Sequence, residues 1–219
     1  MNYNYDIRQP KGCCEDRLLL DFSEMEIPDL AITWTDSNIW FGLAALWLTP
    51  FTWNVVARLE YRTQFLSKLF GNPRLACTAL ALCIISATLY KSYRFKMAMD
   101  SQPRCILLHE NWILWLGYLF IYLGVLLVVS SFLALGFFGT YLGDYFGILM
   151  DEKVTGFPFN LVSNPMYVGS TVNYLGMALI RASSAGLFLT AGVGLAYYVA
   201  ISFEEPFTEE IYKNRKKQS

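Results

Sequence analysis

Histidine is almost missing from this 219-residue chain: His109 is the only one, and the five cysteines follow no metal-binding spacing. With no C-x-x-C pair and no second histidine, the four ligands of a zinc site cannot be assembled. Cys13 and Cys14 are adjacent, Cys77 and Cys83 lie in an apolar run, and Cys105 stands alone in a polar loop. An odd set placed like this is no disulfide framework. Basic charge is not in surplus either, since 17 lysines and arginines against 18 acids leave a formal net charge of −1. That balance excludes a nucleic-acid binder, which needs a positive field for phosphates. Residues 1–36 hold eight acids, three bases and no apolar stretch of the length a cleavable signal requires. Insertion into a membrane is therefore expected to rely on internal segments.

Apolar residues are plentiful, at 55% of the chain with 16% aromatics, and the mean hydropathy is +0.35. They gather into uncharged runs, and a hydrocarbon core of about 30 Å needs about 20 helical residues to cross it. Asn38 to Ala57 carries Trp40, Trp47 and Trp53 around Pro50, and reads either as a crossing or as an interfacial segment. Arg74 to Tyr90 and Trp112 to Phe138 predict transmembrane helices. Pro165 to Ile180 and Ala185 to Phe203, separated only by Arg181 to Ser184, predict a helical hairpin. The expected fold is all-α and integral to the membrane, with four to five transmembrane helices ending in that hairpin. Residues 1–37 form an acidic extension, 38–203 the transmembrane domain and 204–219 a polar cytosolic tail. On the last helix Gly186, Thr190 and Gly194, and separately Gly192, Ala196 and Ala200, make small faces for close helix packing. Lysines and arginines divide nine to eight across a five-crossing arrangement, so their bias sets no orientation. Lys216 and Lys217, fourth and third from the end, match a receptor-read retrieval signal for the endoplasmic reticulum.

Charged groups at the edge of hydrocarbon are costly, which singles out Glu204 and Glu205 directly after Phe203. They read either as a polar stop or as part of a site. A hairpin favours the second reading, because it returns them to the membrane face that holds Asn164, Pro165 and Tyr167. Residues 139–164 lead into that face with Gly139, Gly143, Gly147 and Gly156, several aromatics and Asp144. Two readings fit that segment: a helix continuing past Phe138 with glycines on one packing face, or a cap over a small-molecule site.

The strings FFGTYLGDYFGIL, FPFNLVSNPMYVGSTVNYLG and FEEPFTEEIY, between Ser130 and Tyr212, resemble the integral-membrane phospholipid N-methyltransferases. So do NVVARLEYRTQFLSKLFGNPRLAC and MAMDSQPR upstream, and the resemblance covers the chain from about residue 38 onward. It implies successive methyl transfers from S-adenosylmethionine to the amine of phosphatidylethanolamine and its mono- and dimethyl derivatives, giving phosphatidylcholine in the endoplasmic reticulum membrane. In that family a Gly-x-Gly in the long transmembrane run and a Glu-Glu pair are assigned to the cofactor. Here the pair is Glu204 and Glu205, whereas Tyr122, Leu123 and Gly124 keep only the second glycine, so Leu123 and Gly124 are carried over. A Pro-x-Tyr-x-Gly element of the wider class of membrane methyltransferases adds Pro165, Tyr167 and Gly169, with Asn164 where that class has histidine.

A sulfonium nucleotide calls for carboxylates beside its cations and an aromatic wall beside its base, which suits Glu204, Glu205 and Tyr167. The acceptor amine is an ammonium at neutral pH and must lose a proton first; Asp144, Glu205 and water are the candidate acceptors. Tyr141, Tyr145 and Tyr174 are candidates to hold the quaternary product through their ring faces. Because the cofactor is water-borne and cytosolic, five crossings are preferred, which put the glutamates and residues 139–169 on one accessible side. The alternatives are a methyltransferase acting on a prenylated carboxylate and a non-catalytic membrane protein of the same fold.

Overall fold

The computed structural model describes residues 32–150 and 154–218, with side chains through Lys213. Six helices follow in order: α1 (Ser37–Thr63), α2 (Phe65–Phe70), α3 (Pro73–Asp100), α4 (Asn111–Thr140), α5 (Pro165–Ile180) and α6 (Ser184–Gln218). Four of them, α1, α3, α4 and α6, are long and apolar enough to cross a membrane, so the chain is a multi-pass membrane protein. At 16 residues, α5 rises about 24 Å, yet it runs from one end of the bundle to the other. Its first turn meets α6 at Glu204, and the residue after its last turn, Arg181, pairs with Asp100 at the end of α3.

Local chemistry explains the helix limits. The Asp36 carboxylate accepts from the Asn38 backbone N–H at 2.9 Å and starts α1. Hydrogen bonds led by the one from Ser101, with Asn38 and Gln102 adding to it, hold that carboxyl below its usual pKa. Asn72 caps α3 in the same way, and Pro73 occupies the first turn, where its missing N–H has no cost. Pro50 does not end α1, which runs the full height of the bundle; this favours the crossing over the interfacial reading.

Three features differ from the sequence expectation. The last helix does not end at Phe203: α6 continues through Pro206 to Gln218, so the residues read as a tail are helical. The glycines after Phe138 are not one face of an extended helix. Gly136 (φ +64°) breaks α4, Leu142 and Gly147 are also left-handed, and Gly143–Phe146 is a 3-10 turn that folds the chain back. Third, the apolar run read as ending at Tyr90 continues to Asp100 in α3, taking Lys91 into the helix. Residues 1–31 and the side chains of Lys216 and Lys217 lie outside what is described.

Glycines set the tightest seam. A β-carbon on Gly124 of α4 would come within 2.6 Å of the Gly169 carbonyl oxygen of α5, and one on Gly169 within 2.8 Å of the Gly124 carbonyl oxygen. Gly117 and Gly176 repeat the contact one heptad away. With lipid outside, such close backbone approach is what holds helices together. On α6, Gly186 packs on Ala178 and Met99, and Gly192 faces Leu43 of α1. The core between α1, α3, α5 and α6 contains Leu46, Phe95, Tyr174, Leu189, Val193 and Tyr197.

Candidate active site

The turn Arg181 to Ser183 makes α5 and α6 antiparallel, so the start of α5 and the second half of α6 share one end of the bundle. There the Tyr167 hydroxyl donates to Glu204 Oε2 at 2.6 Å, a charge-assisted bond of the short, strong type. Beneath it the Tyr197 ring lies 4.8 Å from the Tyr167 ring. The Tyr145 ring stacks on Phe207 with centroids 5.2 Å apart, and the Tyr212 hydroxyl donates to Asp144 Oδ1 at 3.1 Å. Segment 143–147 is thereby folded onto the same end of α6. The charges of Asp144 and Arg58 both act on Glu204.

α1 supplies a wall that sequence reasoning did not anticipate. An Arg58 guanidinium N–H donates to the Phe203 carbonyl at 2.5 Å, and the group lies 5.0 Å from the Phe207 ring. Trp53 packs against the cluster formed by Tyr145, Phe146 and their neighbours. Trp53 Nε1, Asn54 Oδ1 and Arg58 Nε are buried with no hydrogen-bond partner among the described residues. Buried polar atoms are nearly always paired, so this end of the bundle has hydrogen-bonding capacity to spare. In the sequence Arg58 directly follows the apolar run Asn38 to Ala57, and a charge at that position reads as the end of the run.

The sequence-selected residues separate into groups. Glu204 and Tyr167 are in contact, and Asn164 and Pro165 adjoin them at the start of α5, with Pro165 buried. Glu205 is exposed on the other side of α6. Gly124 and Gly169 meet each other in the α4–α5 seam, and Leu123 is 40% exposed on the outer surface of α4.

A family description, phospholipid methyltransferase, matches residues 112–215. Mouse phosphatidylethanolamine N-methyltransferase is 49% identical over 181 residues, which are 83% of this chain and 91% of the relative. The human protein of the same name is 50% identical over 180 residues, 82% of this chain and 90% of its own. Phosphatidyl-N-methylethanolamine N-methyltransferase of Saccharomyces cerevisiae is 47% identical over 182 residues, 83% and 88% of the two chains. No solved structure matches. With nearly half of the residues shared over nine-tenths of the mouse and human enzymes, and the family match spanning α5 and most of α6, the chain belongs to the phospholipid methyltransferase family.

Proposed function

We propose that this protein transfers methyl groups from S-adenosylmethionine to the head-group nitrogen of phosphatidylethanolamine and its mono- and dimethyl derivatives, forming phosphatidylcholine at the cytosolic face of the endoplasmic reticulum. The observation that carries the reading is the Tyr167–Glu204 hydrogen bond, which joins the two closing helices at the aromatic-lined end of the bundle. The residues there suit a cationic nucleoside: a carboxylate in a half-buried setting, tyrosine and phenylalanine rings around it, and polar atoms of Trp53, Asn54 and Arg58 that have no partner among the described residues. Bound there, S-adenosylmethionine supplies a sulfonium methyl group open to direct displacement by an amine.

Glu204 holds positive charge at this end, and the Tyr167 hydroxyl fixes the orientation of its carboxylate. Asn164 and Pro165 shape the adjoining wall, and Glu205 faces the head-group region, where it attracts cations before they enter. Gly124 and Gly169 act through the seam, setting the separation of α4 and α5 and so the position of Tyr167; Leu123 meets lipid beside them. Each transfer would form one N–C bond as the S–C bond to the methyl breaks, with sulfur leaving as a neutral thioether and one proton released from the acceptor ammonium. Of the candidate acceptors Asp144, Glu205 and water, the hydrogen bond from Tyr212 to Asp144 beside the site supports Asp144 as the group that takes that proton. Little covalent help is needed, because placing nitrogen, methyl and sulfur in line supplies most of the rate.

The test is a radiolabelled-methyl assay in membranes devoid of such activity, with the lipid products separated by head group. Label is expected in all three methylated lipids. Label only when monomethyl lipid is provided would restrict the acceptor to the later steps, and label on a prenylated carboxylate would overturn the proposal.

A further inference from the structure

Lys91 lies two-thirds of the way along α3, 4% exposed, inside a helix that crosses the membrane. None of the ion pairs among the described residues includes it. Its Nζ donates to the Tyr197 hydroxyl at 2.7 Å and sits 5.1 Å and 5.7 Å from the Tyr197 and Tyr174 rings. The Tyr174 hydroxyl is in turn 3.3 Å from Ser92 Oγ. A cation in hydrocarbon is costly and is characteristically retained for function. A methionine would fill the same volume without the desolvation cost. What the lysine adds is a fixed phenol: Tyr197 is held at its oxygen by Lys91 and along its ring by Tyr167, which bonds Glu204. The cation and the carboxylate are thus two ends of one contact chain across α3, α6 and α5.

We propose that Lys91 is a positioning residue for methyl transfer, which fixes Tyr197 and, through the packed rings, the Tyr167 hydroxyl that orients Glu204. The proposal rests on the assignment of Glu204 to the methyl donor. It is tested on the full chain in detergent or nanodiscs with tyrosine labelled by 13C at the ring carbon bearing oxygen. Lys91→Met is expected to shift the Tyr167 resonance as well as that of Tyr197. It is also expected to weaken S-adenosylmethionine binding about tenfold, the scale of one charge-assisted hydrogen bond. Lys91→Arg is expected to restore both. Tyr197→Phe should weaken binding similarly, and the double variant should be no worse than either single one, because both remove the same link. A Lys91→Met protein with an unmoved Tyr167 signal, or with wild-type binding, overturns the proposal. If Lys91→Met fails to give a cooperative thermal transition, Tyr197→Phe with Lys91 in place decides by the same two readouts. Failure of the wild-type protein to bind S-adenosylmethionine would instead remove the assignment of Glu204, with the Tyr167 resonance still reporting the positioning.

Discussion

The two ends of the helix bundle are both polar, but they use polarity in opposite ways. At the end where α1 begins, Asp100 pairs with Lys96 and Arg181, Gln102 bonds Thr33 and Asp36, and the Cys105 N–H donates to the Ala182 carbonyl. Those groups satisfy one another, with the ion pairs exposed and Gln102 and Cys105 buried, which makes them a clasp; Arg94 Nε, beside Asn38, is the one buried polar atom there without a partner among the described residues. At the other end Glu204 is half-buried against Tyr167, and three buried polar atoms of α1 have no partner among the described residues. Satisfied polar groups at a membrane surface stabilise loops; buried ones with capacity left over prepare a site. The contrast supports the proposal that the methyl donor binds at the second end.

The contrast can be broken most directly at its strongest point. Glu204→Gln is expected to lower methyl transfer at least about a hundredfold while the protein still inserts, since a charge-assisted contact of this kind contributes about 3 kcal/mol. Arg181→Gln at the opposite end should remain within about twofold of wild type, because exposed ion pairs contribute little. The radiolabelled-methyl assay reads both, and equal losses would erase the distinction between the ends. Tyr167→Phe removes one hydrogen bond to the same carboxylate and is expected to cost about tenfold in donor affinity, measured by calorimetry.

A fourth variant asks whether the site depends on the seam beneath it. Gly124→Ile forces a branched side chain against the Gly169 carbonyl, and is expected to destabilise the protein by about 1–3 kcal/mol. A lowered thermal midpoint together with weakened donor binding would tie the seam to the site. The smallest effects are at Glu205 and Asp36. Glu205→Gln, on the exposed side of α6, should weaken donor binding only about threefold, as expected of a solvent-screened charge. Asp36 has its folded pKa below that of an ordinary aspartate, so its contribution is present at neutral pH and is lost as pH falls through the folded value. Acidification below about pH 4 should therefore lower the midpoint of the wild type slightly more than that of Asp36→Asn.

Much of this arrangement was legible in the chain, and the places where it was not have two causes. Arg58, Lys91 and Glu204 each stand at the edge of an apolar run, where a charge ordinarily marks the point at which a helix leaves hydrocarbon; Arg58 and Lys91 read as boundaries, and Glu204 as a polar stop or part of a site. All three lie inside continuous helices, turned toward other protein groups. The glycines from 139 to 147 have the spacing of a helical stripe, yet left-handed backbone at Gly136, Leu142 and Gly147 makes a reversal instead. Periodicity records which residues would share a face if the helix continued, and it carries no information on whether it does.

Composition and run length by themselves determined that this is a multi-pass helical membrane protein, because hydrocarbon thickness and the need to satisfy every backbone hydrogen bond leave few other solutions. The hairpin was determined the same way, by two apolar runs separated by four residues. Only the tertiary structure decided which of the two adjacent glutamates is engaged. Successive residues on a helix diverge by about 100°, so when one faces α5 the next must face away, and the packing of α6 on α5 selects Glu204.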